Sequence, residues 1–191
     1  MNNKNFKDTI YFEYSKIGKC LSSPKRIEIL DLLISGPKNV DKLSKLTNMS
    51  IANVSKHLQS LLNANLVTYT KRGNHVIYQL ADNDIIDFLS SFFNISNKQI
   101  STIDKIKKEF LDIHSMKTVN AEDLNKKVND GEILLIDVRP TEEYQNGHFP
   151  RAVSLPIEEL EEKLDLLPTN VEIDAYCRGS LCLTSNDAVK I

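Results

Sequence analysis

The chain has 191 residues, enough for one large domain or two small ones, with 41% hydrophobic and 26% charged residues and a net charge of −2. Its three cysteines are too few and scattered for a secreted disulfide framework, the first residues hold no apolar signal core, and no apolar run reaches membrane-spanning length, so a reducing cytoplasm and no membrane partner are expected. Residues 1–100 carry 13 Lys/Arg against 8 Asp/Glu and residues 101–191 carry 11 against 18, a split that predicts two domains with different partners, the front one meeting phosphate.

In chain order, residues 6–20 are amphipathic at helical spacing. In "SSPKRIEILDLLISGPKN", Ser23 can cap a helix that starts at Pro24 and stops at Gly36–Pro37, with Ile27, Leu30 and Ile34 on one face and Ile29 and Leu33 beside them. A short helix follows, with Val40, Leu43 and Leu46 inward, Asn39 as cap and Asp41 in its first turn. Ser50 can cap the next helix, whose buried stripe is Ile51, Val54, Leu58, Leu61 and Leu62. Its opposite face shows Ala52, Asn53, Ser55, Lys56, Gln59 and Ser60. That face carries no carboxylate, so it can approach a polyanion without repulsion, although a plain solvated helix is the competing reading. "LVTYT", "KRGN" and "HVIYQL" then alternate as two strands about a glycine turn, with Lys71 and Arg72 at its tip. Helix, short helix, polar helix, hairpin is the order of a winged helix-turn-helix, in which the third element fits the major groove and the hairpin sets its cations against the backbone or minor groove.

"LSSPKRIEILDLL", "VSKHLQSLLNANLV" and "KRGNHVIYQL" together resemble an ArsR-type repressor domain over residues 10–93. The resemblance implies a homodimer built through the first helix and the helix at 83–93, whose apolar residues Ile85, Ile86, Phe88, Leu89, Phe92 and Phe93 exceed what one side can bury. A twofold dimer reads double-stranded DNA at a pseudo-palindromic operator with half-sites about 10 bp apart or a multiple of it. It also makes 51–63 the reading helix, with Ser50, Asn53, Ser55, Lys56, His57 and Gln59 as its DNA-binding candidates and Lys71 and Arg72 on the wing. His57, at the edge of the apolar stripe, either bonds a phosphate or packs internally. Metal-sensing members carry a cysteine cluster before the reading helix or Asp/His pairs at the dimer helix. "VDKLSKLTN" holds no cysteine or histidine, and Asp82, Asp84 and Asp87 lack a histidine pair and fit a helix first turn, so no metal is expected. Cys20 reads as a small buried hydrophobe.

In the back half, residues 99–114 repeat apolar positions at Ile103, Ile106, Phe110 and Ile113 and predict a connecting helix, taken with its flanks as 96–117. "NAEDLNKKVNDG" is a short helix ending near Gly131. "EILLIDVR" is a continuous apolar run, typical of a strand covered on both faces. A small helix, a turn and a short strand occupy "TEEYQNGHFPRAVSLP", an acidic helix "IEELEEKLDLLP", and a strand "VEIDAYC". Strands alternating with helices predict a parallel α/β sheet. Cys177 ends a strand, where such sheets bind ligands. Backbone N–H groups of the following loop and the cation of Arg178 favour its thiolate, and Gly179 lets the loop curl. A thiolate so placed can take up sulfane sulfur as a persulfide. Cys182 then either resolves it as a disulfide or packs in the next helix. The four residues between the two cysteines exceed the usual metal-knuckle spacing.

"LLIDVRPTEEYQNGHFPRAVSLP" and "YCRGSLC" are similar to a rhodanese domain, over residues 118–191. The resemblance implies Cys177 as sulfur carrier, Arg178, Gly179, Ser180, Leu181 and Cys182 as its cradle, and Asp137 and Arg139 as organisers of the loop's neighbourhood, without a cofactor. Rhodanese domains continue into a further strand and a tryptophan-bearing segment that this sequence lacks, so a truncated domain with an open edge at 171–176 and an unpaired strand near Val119 is expected. Asp174 mid-strand, "TSND" as a poor helix interior, and Arg151 in place of a glycine are further departures. The sequence thus predicts a mainly α winged-helix domain at 1–95 followed by an α/β rhodanese-like domain whose parallel sheet lacks its last strand. The expected function is a DNA-binding repressor responsive to reactive sulfur. The alternative is a sulfurtransferase carrying a persulfide on Cys177.

Overall fold

A computed structural model describes residues 3–110, 120–178 and 182–191. The chain forms two compact units, Met1–Asn94 and Ile95–Ile191.

The first unit runs α1 (Asn3–Leu21), α2 (Pro24–Ile34), β1 (Lys38–Asn39), α3 (Val40–Thr47), α4 (Ile51–Asn63), β2 (Val67–Arg72) and β3 (His75–Leu80), and most of α5 (Asp84–Gln99). Ser23 stands at the N-cap of α2 with extended backbone, but its carbonyl, not its hydroxyl, accepts from Arg26 and Ile27, and Pro24 at the first helical position has no N–H to satisfy. Asn39 caps α3 through its side chain, accepting from the Lys42 N–H at 2.8 Å. Left-handed Asn48 (φ 51°) ends α3, and the Ser44 hydroxyl donates to the Met49 carbonyl, fixing the turn into α4.

The core gathers Ile29, Leu30, Leu33, Leu43, Val54, Leu58, Leu61, Leu66, Val67 and Leu89, with Cys20 buried among them. Val54, Leu58 and Leu61 repeat at helical spacing and are fully buried, whereas Ile51, expected in the same stripe, is 53% exposed because the first turn of α4 overhangs the core. The hairpin pairs Val67 with Leu80 through to Arg72 with His75, so the turn is only Gly73–Asn74, with Gly73 at φ 59°. β1, not expected from the sequence, pairs Lys38 and Asn39 with Tyr78 and Ile77, making β3 the centre of a sheet ordered β1-β3-β2. The helix expected at 83–93 runs on to Gln99. α6 (Ser101–Phe110) begins only after a break at Ile100, and Ile113 of the expected connecting helix lies outside the described residues.

The second unit continues with α7 (Ala121–Asn129), β4 (Ile133–Asp137), α8 (Thr141–Asn146), β5 (Val153–Ser154), α9 (Ile157–Lys163), a single 3-10 turn, β6 (Glu172–Tyr176) and α10 (Leu183–Ala188). The sheet is parallel, ordered β5-β4-β6. Side chains of central β4 alternate between two apolar clusters: Ile136 and Val138 meet Leu155, Leu160 and Ala188, and Leu135 meets Val128 and Ala152. This two-faced burial explains the unbroken apolar run in the sequence. Among the described residues β6 is an edge strand, so Asp174 keeps contact with water and carries no full desolvation cost. The strand expected near Val119 lies outside the described residues. "TSND" does form helix in α10, because Ser185 and Ala188 are buried against the sheet.

Candidate nucleic-acid interface and thiol site

The polar face of α4 is open to solvent: Ala52, Asn53, Ser55, Lys56 and Gln59 are all exposed, without a carboxylate among them. Ser50 is committed to capping, its hydroxyl accepting from the Asn53 N–H at 3.3 Å, and Gln59 donates to Asn63 at 3.1 Å. Ile51, missed as a surface group because its position fits the apolar stripe, adds a methyl-bearing side chain to the start of this face. His57 is half-buried. Burial, then the charges of Arg26, Lys56 and Lys25, hold its pKa below the usual histidine value, so the ring is neutral near pH 7. Arg26 itself is tied down, donating from Nε to the Cys20 carbonyl and from Nη2 to that of Lys19. The Cys20 thiol reaches the Ser60 carbonyl at 3.7 Å, and burial pushes its pKa up, as for a packed thiol.

Lys71 and Arg72 are exposed, but they belong to β2 itself and not to a tip loop. As consecutive strand residues they point to opposite faces of the ribbon, so only one at a time meets a given groove wall.

In the second unit the strand ends of β4 and β6 form a polar network. Arg139 Nε donates to both carboxylate oxygens of Asp137, at 2.9 and 3.1 Å, and its Nη2 donates to the Gly147 carbonyl at 2.8 Å. Burial acts to raise the pKa of Asp137, but hydrogen bonds from Arg139 and Tyr176 outweigh it and hold the carboxyl below its ordinary value. Tyr176, paired in register with Asp137, accepts the Phe149 N–H at 3.0 Å, lies under the Arg139 guanidinium, and is pushed up to about 12 by burial and by Asp137.

Cys177 follows Tyr176 and is half-buried against the cluster of Ile136 and Val138. Its thiol lies 3.6 Å from the Cys182 carbonyl and 3.5 Å from Ser185 Oγ. Cys182 is half-buried at the N-cap of α10, and its thiol is pushed down to about 5, first by the hydrogen bond from Cys177, against burial, and further by the Thr184 side chain and backbone and the Arg178 backbone. The two thiols titrate as a pair, and their contact favours a single negative charge shared at this site. The guanidinium of Arg178 interacts electrostatically with both thiols and also forks onto buried Glu143, a partner hidden in the sequence because Glu142 and Glu143 are indistinguishable until α8 turns one inward. Gly179, Ser180 and Leu181 lie outside the described residues. Among the described residues no cluster of three or more His, Cys, Asp or Glu side chains could hold a metal ion, and no helix is long and apolar enough to cross a membrane.

Comparison with known proteins agrees with this division. The family described as bacterial regulatory protein, arsR family, matches residues 23–69, and the rhodanese-like domain matches residues 120–190. The chain is 33% identical over 179 residues to the HTH-type transcriptional regulator Rv0324 of Mycobacterium tuberculosis, covering 94% of this chain and 79% of that protein. It is 39% identical over 87 residues to the arsenical resistance operon repressor of Staphylococcus xylosus, covering 46% of this chain and 83% of that one. A solved structure, the homodimeric winged helix-turn-helix DNA-binding domain of Mb0332 from Mycobacterium bovis, is similar at 24% identity with a TM-score of 0.49, covering 52% of this chain and 91% of that chain. With a winged helix whose acid-free α4 lies open to solvent, and an α/β unit built around a thiol pair, the chain belongs to the ArsR family of DNA-binding helix-turn-helix transcriptional regulators and carries a rhodanese-like domain later in its sequence.

Proposed function

We propose that the protein is a cytoplasmic repressor that binds a pseudo-palindromic operator as a homodimer and responds to reactive sulfur through Cys177. The single observation that carries the DNA-reading geometry is the exposed, carboxylate-free face of α4, with Lys71 and Arg72 on the adjoining hairpin. In this reading Asn53, Ser55 and Gln59 meet base edges, Lys56 and His57 meet phosphate, Ser50 holds the helix start, and Ile51 offers an apolar contact to a thymine methyl. The dimer reading is supported by apolar surface that one copy does not cover: Phe6, Tyr11, Phe12 and Tyr14 on α1 and Phe88 on α5 are each more than 40% exposed. The functional division is 1–95 for DNA binding and dimerisation, 96–117 for the connection, and 118–191 for sulfur sensing.

The test is operator affinity of the full chain with and without a sulfane donor such as thiosulfate. A palindromic duplex selected from random sequence is expected to bind with an affinity that falls steeply with salt and changes after donor treatment. Equal affinity for all duplexes would overturn the operator reading, and equal affinity before and after the donor would overturn the sulfur response. A second reading, a sulfurtransferase that passes a persulfide from Cys177 to an acceptor, is favoured by the hydrogen-bonded thiol pair. Multiple turnover with a donor and a small thiol acceptor would support it.

A further inference from the structure

The second thiol of the loop has work to do that a carrier alone does not require. Cys177 and Cys182 are thiols rather than a disulfide, they share a hydrogen bond, and both are half-buried. Cys177 is held from behind by the apolar cluster of Ile136, Val138 and Ala188 and directed at the Cys182 carbonyl and Ser185 Oγ. Cys182, at the start of α10, is approached by donors from Cys177, Thr184 and the Arg178 backbone. A residue placed there only to fill space would not gather donors around its sulfur, because burial alone disfavours the thiolate. The Cys177 sulfur thus already lies against the backbone of Cys182, 3.6 Å from its carbonyl, which brings the two side chains into one another's neighbourhood.

We propose that sulfane sulfur taken up at this loop is not stored but expelled as hydrosulfide, leaving a Cys177–Cys182 disulfide as the signalling state. The inference rests on the sulfur-responsive reading above. In the first step the Cys177 thiol gives its proton to solvent and its sulfur attacks the outer sulfur of thiosulfate. The S–S bond of thiosulfate breaks, sulfite leaves with the electron pair, and Cys177 carries a persulfide. In the second step the Cys182 sulfur attacks the inner sulfur of that persulfide, the bond to the terminal sulfur breaks, and this sulfur departs as HS⁻ with a proton from solvent. The sulfane sulfur is reduced by two electrons and the two cysteine sulfurs are oxidised by one each, so no further oxidant is needed. The cycle closes when a dithiol reductant such as dithiothreitol reopens the bridge. Cys182 is therefore the resolving thiol.

The test is intact mass of the full chain, with hydrosulfide assayed in parallel, after treatment with thiosulfate. The wild type is expected to lose about 2 Da and release one equivalent of hydrosulfide, both reversed or reset by dithiothreitol, whereas Cys182→Ser is expected to stop at a gain of about 32 Da with hydrosulfide at background. A wild type that stops at the persulfide with no hydrosulfide would overturn the disulfide proposal and leave the sulfur response standing. No adduct in the wild type or in Cys182→Ser would overturn the sulfur response itself. Peroxide treatment gives an independent measurement of the pair: a disulfide in the wild type supports its geometry, and oxidation of Cys177 and Cys182 to separate sulfinic acids opposes it.

Discussion

Arg178 grips Glu143 at two points, Nε to Oε2 at 2.7 Å and Nη2 to Oε1 at 2.9 Å, joining the first residue after Cys177 to the interior side of α8. The Glu143 side chain is only 2% exposed and that of Arg178 20%, so the pair is shielded from screening and its loss strands a buried charge. The cation beside the thiols is thereby also an anchor for the residue that follows Cys177. Glu143→Gln and Arg178→Ala are each expected to destabilise the second unit by about 3 kcal/mol, measured by chemical denaturation of the full chain. A loss below about 1 kcal/mol in both would mean that the fork contributes no more than a surface ion pair.

Ser50 and Asn53 face the same groove in the proposed complex but do different jobs. Ser50→Ala removes the hydroxyl that accepts the Asn53 N–H and is expected to cost about 1 kcal/mol of stability, with affinity lowered evenly across operator sequences. Asn53→Ala is expected to leave stability nearly unchanged and to relax preference at one base pair of each half-site by about 1–3 kcal/mol. Binding measured against a panel of single base-pair substitutions separates the two, and an even loss in both variants would move Asn53 off the base edge.

In the proposed complex Lys56 and Arg72, both exposed, meet phosphate. Each change to alanine is expected to lower affinity uniformly and to flatten the plot of log affinity against log salt by about 0.9 per contact removed in each subunit. An unchanged slope in both variants would take the duplex away from this face.

In the proposed complex His57 links binding to pH. Its pKa in the folded protein lies below the ordinary 6.5, so near that pH the unfolded chain binds more protons than the folded one. Its contribution to stability is present above pH 6.5 and is lost as pH falls below it. An approaching phosphate would offset the charges of Arg26, Lys56 and Lys25 and raise the pKa again, so operator affinity is expected to rise between pH 7.5 and about 6 with uptake of one proton per subunit. His57→Gln should flatten that profile. A wild-type profile already flat would place His57 away from phosphate.

The elements of the first unit were legible because helix periodicity, caps and turn residues agreed there: Asn39 and Ser50 cap as their positions predict, and the buried stripe of α4 follows from Val54. What the sequence hid was set by tertiary context. Ile51 fits the stripe by spacing but sits beyond the core's edge, β1 is two polar residues whose pairing depends on β3 being beside them, and the extension of α5 to Gln99 has no stop signal at Phe93 to contradict it. At the thiol site, β4, β6 and the position of Cys177 were visible in the alternation of strands and helices. The division of labour was not: Arg178 stands beside Cys177 in the sequence, yet it also forks onto Glu143, thirty-five residues away, which only packing brings near. Motif spacing names the residues that meet, and only packing shows which of them are already spoken for.

The sheet order of the first unit has one more consequence. β3 is bonded on both sides, by β1 and β2, which leaves the outer edge of β2 as a row of backbone groups open to pairing with another chain. Lys71 and Arg72 close the far end of that row with like charges. The two cations thereby guard against edge-to-edge aggregation, and a double variant that replaces both with valine should scatter light at concentrations where the wild type stays clear.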